Sequence, residues 1–245
     1  MKQLSNRAES YLNGLDKDPN WCCDKETVTA YMEQQNVPLC KPVIRFQTKY
    51  SGLDLTVRAN QMETFYMRLF SRKAINGNKR ISVLNENGYT LFECGYHESA
   101  QYNFYINEQG EIIAQSGEDE IAIYSSTEMM VESYALLDSI PKDWCRLPSY
   151  YKICDKDCLE MYLLNKNFRH LTECCDAYNT YFTNGNIIVR SSVWWTNEGG
   201  FAITIYGKDD KICRQLIDEL KKEQTVRITS GLISPKGRLS AGHKK

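Results

Sequence analysis

No apolar run in this chain approaches the roughly 18 residues that a membrane-crossing helix needs, so a soluble protein is expected. The opening stretch, residues 1 to 14, is polar and charged and lacks the apolar centre of a secretory leader, which points to a cytoplasmic protein. No Asn-x-Ser/Thr acceptor occurs, in keeping with that compartment. Gly-rich phosphate loops of both common kinds are missing. The three histidines, His97, His170 and His243, stand far apart, and none is flanked by a recognisable nucleophile motif. Lys and Arg are absent altogether from Ile81 to Ile140, a stretch holding eleven acids. These are Glu86, Glu93, Glu98, Glu108, Glu111, Glu118, Asp119, Glu120, Glu128, Glu132 and Asp138.

What is present suffices for a folded core. Of 245 residues, 42% are hydrophobic and 25% charged, close to globular averages. Ten cysteines would suit a disulfide framework in a small secreted domain; in a chain with enough apolar content to build a core they are expected to be free thiols. The net charge of −1 conceals a segregation. Residues 1 to 140 carry 13 basic and 19 acidic side chains, and residues 141 to 245 carry 17 and 12. Just before the acidic stretch, Lys41 to Arg80 holds nine basic residues against Asp54 and Glu63.

Periodicity divides the chain. Leu4, Ala8, Tyr11, Leu12 and Leu15 share one helical face, and Val28, Tyr31 and Met32 share another behind an N-cap at Asp24. Pro42 opens a third helix with Val43, Phe46 and Tyr50 on one face and Gly52 as its stop. From about Glu63 to Tyr124, short β-rich runs alternate with the turn signals Asn76-Gly77-Asn78, Glu86-Asn87-Gly88 and Asn107-Glu108-Gln109-Gly110, which predicts antiparallel hairpins. Tyr102, Phe104 and Ile106 alternate with Asn103, Tyr105 and Asn107, as in a strand wet on one face. Ser125 or Ser126 caps a helix bearing Met129, Met130, Tyr134 and Leu137, closed by Pro141.

After a connection from Pro141 to Pro148, Asp155 to Phe182 reads as one long helix or two shorter ones. Ile187 to Trp195 and Phe201 to Tyr206 read as strands joined through Asn197-Glu198-Gly199-Gly200, followed by a helix with Ile212, Leu216, Ile217 and Leu220. Val226 and Ile228 suit a last strand, and residues 234 to 245 a basic, frayed tail. The expected fold is α+β: a mainly antiparallel sheet packed on helices over residues 1 to 140, then a smaller α+β part over 141 to 233.

Candidate chemistry is sparse. Cys154, Cys158, His170 and Cys174 approach the order and spacing of a small zinc site, but they also fall on or beside the apolar face of the predicted helix, where a free Cys packs as a small hydrophobe. The second reading is preferred, and no cofactor is expected. Ser149-Tyr150-Tyr151-Lys152 matches Ser-x-x-Lys, in which the Lys one helical turn away activates the Ser, without the companion elements of that chemistry. Trp194-Trp195 and the sixteen tyrosines suit a core, a sheet face or an interface. Concentrated negative charge disfavours nucleic acid as a partner.

Three stretches carry a family resemblance. Val43-Ile44-Arg45-Phe46-Gln47-Thr48-Lys49-Tyr50-Ser51-Gly52-Leu53 is similar to a helix running into a Gly-Gly turn, with Ser51 where the first Gly is usual. Tyr105-Ile106-Asn107-Glu108-Gln109-Gly110-Glu111-Ile112 is similar to a hairpin around an acid and a Gly, and Ile121 to Leu137 to a strand entering a final helix. Over residues 1 to 140 the chain thus resembles the SUKH superfamily, many of whose bacterial members are immunity proteins that bind and neutralise toxins, often nucleases. That resemblance implies a non-enzymatic inhibitor of a toxin, and the acidic stretch gives the partner a basic surface, with Glu98, Glu108, Glu111, Glu118, Asp119 and Glu120 as the expected contacts. The acids can equally pair with the basic residues of 41 to 80 across the same sheet. A scaffold or regulatory module, or a hydrolase or metal enzyme with an unrecognised site, are the alternatives.

Overall fold

A computed structural model describes residues 3–58, 63–86, 88–100, 102–117, 119–193 and 200–228. The chain opens with α1 (Asn6–Asn13), a 3-10 turn (Pro19–Trp21), α2 (Lys25–Gln34) and α3 (Lys41–Arg45), which runs on as a π-helical turn (Phe46–Tyr50). Side-chain caps fix the starts: Ser5 accepts from the Ala8 N–H, and Asp24 from the Thr27 N–H. Next come β1 (Asp54–Val57), β2 (Glu63–Met67), α4 (Arg72–Asn76), β3 (Val83–Glu86), β4 (Tyr89–His97), β5 (Asn103–Ile106), β6 (Ile112–Ser116), β7 (Asp119–Tyr124) and α5 (Thr127–Asp138). The rest comprises β8 (Cys145–Ile153), α6 (Lys156–Asn165), β9 (Arg169–His170), a 3-10 turn (Thr172–Cys174), β10 (Asn179–Thr183), β11 (Ile187–Val193), β12 (Phe201–Gly207), α7 (Asp210–Lys222) and β13 (Val226–Ile228).

Two antiparallel sheets result, and the fold is α+β. The first has the order β1-β2-β4-β5-β6-β7, with β3 also paired to β4; the second has the order β13-β8-β12-β11-β10-β9. Between them lies α5, buried at every residue from Thr127 to Leu137. One apolar cluster joins α1, α2, the π-helical turn, the inner face of the first sheet and α5 to Tyr181, Ile188 and Tyr206 of the second sheet. Val43, Phe46, Ile106, Ile123 and Leu137 all belong to it. The core therefore crosses the boundary drawn at residue 140. The opposite face of the second sheet packs Leu147, Ile153, Val189, Ile203 and Ile205 on Leu159 and Leu163 of α6 and Leu216, Ile217 and Leu220 of α7. No helix is long and apolar enough to cross a membrane among the described residues.

Four expectations are corrected. The helix expected over Asp155 to Phe182 ends at Asn165, where Asn167 takes the left-handed conformation (φ 61°) and the chain turns into β9 and β10. Asn76-Gly77-Asn78 ends α4 and is not a hairpin turn, because Gly77 closes that short helix. The connection expected from Pro141 to Pro148 contains half of β8, a central strand; Pro148 falls where the β8–β12 register shifts, and such an irregularity tolerates a residue without an N–H. Finally, β5 is wet on its outer side only at Asn103: Tyr105 is buried there against Leu91 and Ile113, in a small separate apolar cluster made of strand residues only, and Asn107 is buried too. The tail, Glu118, Trp194, Trp195 and the loop from Asn197 to Gly199 lie outside the described residues.

Candidate partner-binding surface and the adjoining pocket

Acids from the stretch without basic residues meet two fates. Those of α5 turn inward. The Glu128 carboxylate accepts from Arg45 Nε at 2.6 Å and from the Tyr50 hydroxyl at 2.9 Å. Burial, then this carboxylate, pushes the Tyr50 phenol above its usual range, so it stays a donor. One turn on, Glu132 is fully buried and accepts from the Ser5 N–H at 2.5 Å and the Ser5 hydroxyl at 2.8 Å, with Arg7 3.7 Å away. Asp138 accepts from the Arg58 N–H at 2.8 Å. These bonds tie the helical opening and the end of β1 to α5. Charge pairing between the 41–80 stretch and the acids is thus real at Arg45 and Glu128.

The strand acids divide between the two ends of the first sheet. Glu98 follows β4 and Asp119 begins β7, both exposed, with Glu120 half-buried beside it. The register Asn103↔Gln115 and Gln115↔Glu120 places them at one end. With strands about 4.8 Å apart, three strand spacings separate β4 from β7, so these acids spread over roughly 15 Å. Glu120 accepts from the Gln115 side-chain amide at 3.4 Å. Beside Glu98, exposed Tyr96 stacks on Tyr66 with ring centroids 4.6 Å apart, and Arg68 lies over the other side of this pair, 5.6 Å from the Tyr66 ring and ion-paired to Asp54. Glu93, Glu98, Glu108 and Asp119 form no ion pair among the described residues.

Glu108 and Glu111 stand at the opposite end, in the β5–β6 turn. Glu111 is internally engaged: it accepts from the Tyr178 hydroxyl at 2.6 Å and the Asn107 side-chain amide at 2.9 Å. The six residues expected to contact a partner therefore do not form one patch. Glu98, Asp119 and Glu120 share an end, Glu108 and Glu111 share the other, and Glu118 is not described.

A pocket of about 280 Å³ adjoins the second end, between the start of α3, the β5–β6 turn and the start of α5. Lys41, Pro42, Arg45, Phe46, Gly110 and Thr127 help to line it. Gly110 is required there: its φ is 94°, and a Cβ would stand 2.8 Å from Pro42. Sequence reasoning missed this pocket, because its walls come from three distant segments.

The candidate metal ligands do not meet. Cys154 and Cys158 are exposed. His170 lies on β9, 3.0 Å from Glu160 and edge-on to Phe182. Cys174 is buried against Arg7, and burial pushes its thiol up to about 12. No group of three or more His, Cys, Asp or Glu placed to hold a metal exists among the described residues. The segment from Ser149 to Lys152 is strand, so the helical turn that would bring Lys152 to Ser149 is absent.

Comparison of the chain with family models, with curated proteins and with solved structures found no match.

Proposed function

We propose that this chain is a non-enzymatic binding protein, specifically an immunity-type inhibitor that covers a basic cleft of a toxin with the acidic end of its first sheet. The observation that carries the reading is the pair of exposed acids Glu98 and Asp119 at that end, with exposed Glu93 further back along β4 opposite Tyr105, none of them in an ion pair among the described residues, beside the exposed Tyr96. A nuclease-type cleft must be basic to hold phosphate, so an acidic cover matches its field and speeds encounter. Stacked tyrosines supply rigid contact area of the kind enriched at interfaces. The resemblance of three stretches to the SUKH superfamily points the same way, and the inward ties of Glu128 and Glu132 leave them to hold the fold.

The test is retention of a partner from a lysate of the source cell, on immobilised wild type and on a Glu93→Lys/Glu98→Lys/Asp119→Lys variant. The expected result is a basic partner held by wild type at low salt and lost by the variant. A partner with an acidic surface, or equal retention by both proteins, would remove the reading.

A further inference from the structure

A row of stacked side chains on the outer face of the first sheet ends in an open position. Strand register sets it up: Asp54 on β1 stands opposite Tyr66 on β2, and Tyr66 stands opposite Tyr96 on β4. Neighbouring strands lie about 4.8 Å apart, a spacing at which two rings in register can stack. The Tyr66 and Tyr96 rings do so, with centroids 4.6 Å apart and planes 21° apart. On the β1 side of Tyr66 the Arg68 guanidinium contacts two rings, 5.6 Å from Tyr66 and 5.7 Å from Trp21. The order along the row is therefore Trp21, Arg68, Tyr66, Tyr96.

The two ends of the row differ. Arg68 is held in place: it donates to the Leu53 and Met67 carbonyls at 3.1 and 2.9 Å and is ion-paired to Asp54. Tyr96 is 53% exposed, and among the described residues no ring or cation lies on the face it turns away from Tyr66. That face looks toward β5, where Gly95 pairs with Phe104 and so brings Asn103 beside Tyr96. Asn103 is short and exposed, and its own partner Gln115 on β6 stands two strand spacings from Tyr96, roughly 10 Å. One planar group fits over Asn103 against the ring. Glu98, two residues beyond Tyr96 and on the same side of the strand, is exposed and in no ion pair among the described residues. Desolvation, then Glu98 and Asp54, push the Tyr66 phenol above its ordinary range, which puts both carboxylates near the stack. Strands β4 and β5 carry no Lys or Arg that could fill the position.

We propose that the open face of Tyr96 receives an arginine side chain of a basic protein partner, its guanidinium stacked on the ring above Asn103 with its N–H edge toward Glu98. This rests on reading that end of the sheet as the partner surface, and it adds which cation the surface selects. A guanidinium is planar and weakly hydrated, so it lies flat on a ring while its in-plane donors reach a carboxylate; an ammonium is a compact, strongly hydrated point charge. The chain makes the same combination at the other end of the row, where Arg68 lies over Tyr66 and pairs with Asp54.

Fluorescently labelled hexa-arginine and hexa-lysine peptides test this on the full chain, by anisotropy titration at one fixed ionic strength. Wild type should bind hexa-arginine roughly twofold to fivefold more tightly than hexa-lysine. Tyr96→Leu should lose that preference, whereas Tyr96→Phe, which keeps the ring, should retain it. Equal affinity of wild type for the two peptides would overturn the proposal, and so would a preference that survives in Tyr96→Leu. The Glu93→Lys/Glu98→Lys/Asp119→Lys variant separates this from the broader reading, since it should bind both peptides more weakly. If it does so while wild type shows no preference, the acidic end attracts cations without selecting arginine, and only the present proposal falls. If it binds both peptides as wild type does, the acidic end does not attract cations and both fall.

Discussion

The acids of α5 and the exposed acids Glu93, Glu98 and Asp119 of β4 to β7 come from the same sixty residues without a single Lys or Arg, yet one group is structural and the other faces water. Glu128 and Glu132 are spaced one helical turn apart on a helix buried between two sheets, so each had to find donors: Arg45 and Tyr50 for one, Ser5 for the other. Glu93, Glu98 and Asp119 lie on strands and strand ends where hydration replaces pairing. A run of like charge is therefore not one feature. Its meaning depends on which element carries each residue.

The sharpest way to break the contrast is Glu132→Lys, which sets a second cation beside Arg7 at a fully buried position. A loss of about 3–5 kcal/mol, or no folding, is expected by urea unfolding; a change below about 0.5 kcal/mol, as at a surface, would contradict the inward assignment. Phe46→Ala and Leu137→Ala remove fully or nearly buried side chains from the cluster that receives α5, and should each cost about 2–5 kcal/mol. Glu128→Gln keeps the shape but gives up the charge that meets Arg45 and Tyr50, and about 1–3 kcal/mol of stability should go with it in the same urea assay.

A smaller effect is expected on the far side of the molecule. Hydrogen bonds from Tyr162, Gln215 and Lys166 hold the Glu219 carboxyl at about 2, below its ordinary value of 4.5. A depressed folded-state pKa contributes stability that is complete above the unfolded value and is lost as pH falls through the folded one. Wild type should therefore lose stability between about pH 5 and pH 2 more steeply than Glu219→Gln. Parallel pH profiles of the two would exclude this contribution.

Local signals made much of the first half readable. Asp24 and Ser126 cap where capping rules place them, and alternation put Phe104 and Ile106 on the inner face of the first sheet. The second half misled for identifiable reasons. Leu171, Cys174, Tyr178 and Phe182 continue the helical spacing of Leu159 and Leu163 by coincidence, although β10 is extended and Asn167 had already reversed the chain. Pro148 hid β8, a central strand that accommodates it at a register shift. At the candidate surface, residue types were legible and their distribution was not. Only strand pairing sends Glu98 and Asp119 to one end and Glu108 and Glu111 to the other.

The most direct test of the binding role is the association rate of the captured basic partner with wild type and with Glu93→Lys/Glu98→Lys/Asp119→Lys, at two salt concentrations. The variant should fold within about 0.5 kcal/mol of wild type and bind more slowly at low salt. The wild-type rate should fall more steeply as salt rises, because exposed charges act through a field screened beyond about 8–10 Å. Equal rates at low salt, with the same dependence on salt, would contradict it.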